Sequence, residues 1–84
     1  MPELIYDEEE LQKVKNFERD LKWFKENYKE IKSSYKGQYV AVKDKQIINS
    51  DKDVLKLFDR LRGKYDTSSL VVEYVNEHKA EYIL

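Results

Sequence analysis

The chain has no cysteine, a single histidine, one proline and two glycines among its 84 residues. Without cysteine there is no disulfide, no thiolate nucleophile and no cysteine-based metal site, a composition suited to a reducing interior. Two glycines leave no material for a phosphate-cradling loop, and no G-x-x-x-x-G-K-[ST], G-x-G-x-x-G or H-E-x-x-H pattern occurs. No segment approaches the ~18 consecutive apolar residues of a membrane span. The amino terminus, MPELIYDEEE, is acidic where a signal peptide would be basic, so the expected location is cytoplasmic.

Candidates for chemistry are few. His78 sits beside Glu77 in a polar NEHK stretch and reads as an exposed side chain. Asp51 and Asp53 are close enough to suggest a hard-cation site, but their place at a helix start assigns them to capping. The acidic run Asp7–Glu10 fits a helix amino end, where negative charge is favoured. The expectation is a non-enzymatic chain with no catalytic residues, no metal and no cofactor.

What is present is a folded composition, 40% hydrophobic and 39% charged with seven tyrosines. The length marks one domain, near the lower limit at which one apolar core outweighs chain entropy. Net charge is −1, unevenly spread. Residues 1–28 carry five basic and eight acidic side chains, residues 29–64 ten and five, and residues 65–84 one and four, giving −3, +5 and −3.

Apolar residues at Leu11, Val14, Phe17, Leu21, Phe24, Tyr28, Ile31 and Tyr35 recur at steps of three and four, which predicts an amphipathic helix over 7–35, with Asp7 as its cap and a possible restart at Asn27. Gly37 supplies a stop. A hairpin follows: GQYVAVKD, a tight turn at Asp44-Lys45, then KQIIN. Tyr39 and Ala41 face one side of the first strand, Val40 and Val42 the other. Ser50-x-x-Asp53 reads as the opening of a second helix, with Val54, Leu55, Phe58 and Leu61 as its stripe and Gly63 at its end. LVVEYV, residues 70–75, is a strand by its β-branched content. The expectation is an α+β domain ordered helix-strand-strand-helix-strand, with a ββαβ core over 37–75 and a tail or short extra strand over 76–84. A crossover through the second helix makes strands two and three parallel, giving spatial order 2-1-3 in a small mixed three-stranded sheet.

Tyr35, Gly37, Tyr39, Val40, Ala41, Val42, Asp44 and Ile47, followed by Asp53, Leu57, Val71, Val72 and Val75, resemble the pattern of a family of small, mainly archaeal proteins of unknown function. That pattern is a Y-x-G-x-(W/Y)-V-A-(V/I)-x-(D/N)-G-x-(I/V) hairpin, a D-x-x-x-L helix and a hydrophobic strand. The resemblance covers about residues 23–75 and implies a fold without implying chemistry. Lys45 departs from it, standing where the pattern has glycine. The chain is also loosely similar to small accessory subunits of archaeal replicative DNA polymerase, which implies a larger protein partner in a complex acting on DNA.

Two binding roles follow. The first is a protein interaction module, an accessory or regulatory subunit or a homodimer, using sheet edges and aromatic surface. Its candidate contacts are Trp23, about 100° off the helix stripe, with Tyr39, Ile47, Ile48, Tyr82, Ile83 and Leu84. The alternative is direct nucleic-acid binding through the basic middle, by Lys36, Lys43, Lys45, Lys52, Lys56, Arg60, Arg62 and Lys64.

Overall fold

In the computed structural model, residues 7–76 are described. Helix α1 spans Glu8–Glu26, α2 Tyr28–Tyr35 and α3 Val54–Arg62; strands β1, β2 and β3 span Tyr39–Lys43, Gln46–Asp51 and Val71–Tyr74. A short 3-10 turn, Thr67–Ser69, leads into β3.

The long stripe is divided between two helices at Asn27, whose backbone and side-chain N–H groups both donate to the Trp23 carbonyl, at 3.0 and 2.9 Å. Those bonds end α1. The Asn27 carbonyl then accepts the Ile31 N–H and starts α2. At the other end, Asp7 caps α1 as expected, its carboxylate accepting the Glu10 N–H at 2.8 Å.

The strand order is β2-β1-β3, as the crossover argument required, but the sheet is antiparallel throughout and not mixed. Strands β2 and β3 do run in the same direction. Because β1 lies between them and opposes both, no parallel pair of neighbours exists. The second helix also starts later than the Ser50 signature suggested. Ser50 is held in β2 opposite Val40, and the cap is Asp53, whose carboxylate accepts the Leu55 and Lys56 N–H groups at 2.9 and 3.4 Å. Asp51 accepts the Asp53 N–H at 2.8 Å and fixes the entry to α3.

Each face of the sheet carries its own core. Val40, Val42, Val71 and Val75 pack with Phe24 and Ile31 under α1 and α2. Ala41 packs with Leu57, Leu61 and Leu70 under α3. The alternation along β1 thus does what the sequence predicted, and it needs helices on both sides because both faces are apolar. Phe24 and Tyr28 meet edge to face, ring centres 5.5 Å apart, and the Tyr28 hydroxyl accepts the Asn76 N–H, tying α2 to the end of the sheet.

Candidate protein-binding surfaces

The hairpin is joined by a two-residue turn in which Asp44 and Lys45 both have positive φ, 51° and 60°. Such turns match the strand twist, yet they suit Asn-Gly or Gly-Gly far better than Asp-Lys. The strain is met from outside the hairpin. Asp20 of α1, only 2% exposed, accepts the Lys45 N–H at 2.9 Å and the Asp44 N–H at 3.2 Å. Arg19 then donates to both Asp20 and Asp44. Burial alone would raise the Asp20 carboxyl; the Arg19 guanidinium and the two turn N–H groups outweigh it and hold that carboxyl below its ordinary range. Sequence reading missed Asp20. The available signals were an aspartate on the helix face that carries Phe17 and Phe24, and a turn whose second residue is the wrong type for its geometry.

The two sheet edges differ. Along β2 the register slips between Ala41 and Val42, leaving Ile48 as an extra residue, a bulge. One step on, the Arg60 guanidinium donates to the Ser50 carbonyl at 2.8 Å, to Asn49 at 3.2 Å and to Asp51 at 2.8 Å. The Ser50 N–H donates to the Asn49 side chain at 2.9 Å. These groups belong to the outer side of β2, so a bulge and a side-chain clip close that edge. The Asp51 carboxyl is held low by the Asp53 N–H and Arg60.

Five large hydrophobic side chains stay exposed among the described residues. Leu11, Val14 and Phe17 lie on the amino-terminal half of α1, 38–44% exposed, with Val14 and Phe17 facing a shallow groove shared with Ser68 and Ser69. A Lys13–Asp66 ion pair at 3.0 Å holds this half of α1 against the 3-10 turn. Asp66 is lowered to about 2 by the Ser68 hydroxyl, by Lys13 and by the Ser68 N–H. Leu55 of α3 and Tyr74 of β3 are the other two, at 68% and 41% exposure.

Of the expected contacts, Trp23 and Ile47 are half-buried against the Phe24 core, and Tyr39 and Ile48 against the α3 core. Tyr39 pairs with Tyr74, ring centres 5.0 Å apart. Tyr82, Ile83, Leu84 and His78 lie outside the described residues. The basic set is not gathered into one patch. Lys43 precedes the hairpin turn and Lys45 lies in it, whereas Lys52 follows the far end of β2, roughly 20 Å away at ~3.3 Å per residue. Lys36 precedes β1, and Lys56 and Lys64 lie in and after α3. Lys43, Arg60 and Arg62 each pair with an aspartate.

Residues 30–78 match the Family of unknown function (DUF5678). The chain belongs to that family. No curated protein and no solved structure matches it. The matched stretch takes in the hairpin, α3 and β3, as the sequence resemblance implied, while α1 with Asp20 and the Leu11–Phe17 stripe lies outside it.

Proposed function

We propose that the chain is a non-catalytic protein interaction module, a small accessory or regulatory subunit of a larger protein. The observation that carries this reading is the exposed stripe of Leu11, Val14 and Phe17 on a helix whose other half is fully used by the core. Among the described residues, those three side chains stay 38–44% exposed and belong to neither core. Their spacing suits the face of an amphipathic helix in a partner, docked by residues three and four apart.

The stripe is about 9 Å long at 1.5 Å per residue. Three side chains fall well short of the ~800 Å² per partner of a stable interface, so a second copy meeting at this stripe alone buries too little. A larger protein that extends past the stripe onto neighbouring surface satisfies the area. A DNA-acting, cytoplasmic assembly is the class of complex we propose to examine first.

Direct nucleic-acid binding has less support, because three of the eight candidate cations are paired with carboxylates and the hairpin lysines stand far from Lys52. The test is affinity capture of the full chain from its source cell, with nuclease treatment, beside the Phe17→Asp variant. A stoichiometric, nuclease-resistant complex that the variant loses while keeping its circular dichroism spectrum supports the proposal. Nuclease-sensitive recovery, unchanged in the variant, transfers the role to nucleic acid.

A further inference from the structure

At about 100° per residue, Leu11, Val14 and Phe17 span an arc of roughly 120° on α1, with Val14 at its centre. Between Glu8 and Glu18, two further residues fall inside that arc. Glu18 lies about 40° to the Leu11 side of Val14, and Glu10 about 40° to the Phe17 side. The capping Asp7 stands within about 20° of Val14, two turns toward the amino end. All three are acidic and exposed. Lys13 and Lys15 lie about 100° from Val14 on opposite sides, outside the arc. Lys13 is bonded to Asp66 at 3.0 Å, and Glu9 and Glu10 act on it only as weaker charges. Across the groove from Val14 and Phe17 stand the neutral Ser68 and Ser69.

Residues 7–18 hold five acidic and two basic side chains, a net charge of −3. The helix dipole places about half a positive charge at this end, and its effect fades within the first turn. It accounts for Glu8, Glu9 and Glu10 but not for Glu18, which joins no ion pair among the described residues. Apolar exposure thus marks the surface, and the sign of its charges selects the occupant. An arc without a cation repels phosphates and anionic membrane surfaces. A second copy docked arc to arc gathers Glu10 and Glu18 of both chains into one seam with no base among them, and like charges brought together oppose association.

We propose that this arc receives a basic amphipathic helix of the partner, running antiparallel to α1. Apolar residues three and four apart on that helix rest on Leu11, Val14 and Phe17, and Lys or Arg residues flank them beside Glu10 and Glu18. The antiparallel sense follows from where the acid is densest. Cations are favoured at a helix carboxyl end, and Asp7–Glu10 crowd the amino end of α1.

This proposal rests on the reading of the chain as an interaction module and names the chemistry of its partner. The experiment is amide NMR of the full chain with a synthetic peptide of about 18 residues, long enough to form a helix. Its leucines recur three and four apart among lysine and alanine, and a second peptide has glutamate for every lysine. Expected are shifts at residues 8–18 with the lysine peptide, binding at least about tenfold weaker for the glutamate peptide, and loss of the lysine peptide's advantage as salt is raised. Glu10→Lys with Glu18→Lys, both at exposed positions, reverses the preference. A spin label at the carboxyl end of the lysine peptide broadens the Glu9 and Glu10 amides, and one at its amino end those near Glu18; the opposite pattern overturns the orientation. Equal binding of the two peptides, an unchanged preference in the charge-swapped chain, shifts that avoid residues 8–18, or no shift with either peptide overturns the proposal. If capture from the source cell still yields a complex that Phe17→Asp loses, the interaction module stands and only the basic helix falls.

Discussion

Asp20 and Lys45, twenty-five residues apart in sequence, meet at 2.9 Å, the carboxylate of a helix accepting the backbone N–H of a hairpin turn. The contact reconciles a strained turn with a stable hairpin, because the buried Asp20 carboxylate satisfies two turn donors while fixing where α1 crosses the sheet. Asp20→Ala leaves the Asp44 and Lys45 N–H groups without that acceptor and is expected to lower stability by about 1–3 kcal/mol, slightly offset by alanine's better helix propensity. Urea unfolding of the variant measures it. A loss below a few tenths of a kcal/mol would mean that water replaces the carboxylate fully.

Lys45→Gly should act in the opposite direction. A left-handed conformation disfavours an L-residue by about 1–2 kcal/mol, while glycine forfeits about 0.5–1 kcal/mol through its more flexible unfolded chain. The expected net is a gain of up to about 1.5 kcal/mol, read as a higher urea midpoint at unchanged slope. A destabilised Lys45→Gly variant would show that the lysine side chain contributes more than its backbone strain removes.

The Asp20 carboxyl gives the fold an acid dependence of known sign. Its folded-state pKa is depressed below the unfolded value of about 3.9. The stabilisation is therefore complete above that value and is lost as pH falls through the lower folded value. Asp66, lowered to about 2, contributes in the same sense at the α1–turn contact. Asp20→Asn should be less stable than the parent at neutral pH and lose less on acidification, so the two stability curves converge at low pH. Parallel curves from pH 7 to pH 2 would remove Asp20 from the acid response.

Arg60 is expected to guard the β2 edge. Its guanidinium serves three acceptors at once, which the single ammonium of lysine cannot reproduce in the same planar fork. Arg60→Lys and Arg60→Ala should both speed amide exchange at Ser50, and Arg60→Ala should add concentration-dependent association seen by light scattering. Association that leaves Ser50 exchange unchanged would place the new contact elsewhere.

How much of this was legible depended on whether a feature was local. The hairpin, its 2-1-3 order and the two-faced β1 followed from alternation and from one crossover rule, because each is fixed by neighbours in sequence. The late start of α3 was misplaced since Ser50 and Asp53 both look like caps, and only pairing with Val40 shows that Ser50 is strand. The label of a mixed sheet failed on geometry already available: with β1 between two strands of one direction, both neighbouring pairs are antiparallel. Asp20 draws no reading of its own from the sequence, and Arg60 reads there as a candidate phosphate contact. Their partners lie in other elements, and nothing in a one-dimensional pattern says which charged residue on a helix will find a backbone group. Exposure of Leu11, Val14 and Phe17 was hidden for the converse reason, since the stripe looks the same whether or not a sheet lies beneath it.

That stripe supplies a within-helix comparison. Phe17 and Phe24 stand two turns apart on one face of α1, the first 38% exposed and the second fully buried. Phe24→Ala should therefore cost about 3–5 kcal/mol, as removal of a core aromatic does, whereas Phe17→Ser should stay within about 0.5 kcal/mol of the parent, as a surface change does. If α1 ends its duties at the core, this contrast appears in the isolated chain and is reversed in the complex, where Phe17→Ser weakens partner binding. A Phe17→Ser variant as unstable as Phe24→Ala would show instead that the chain covers the stripe itself, and the stripe would no longer carry the proposed partner contact.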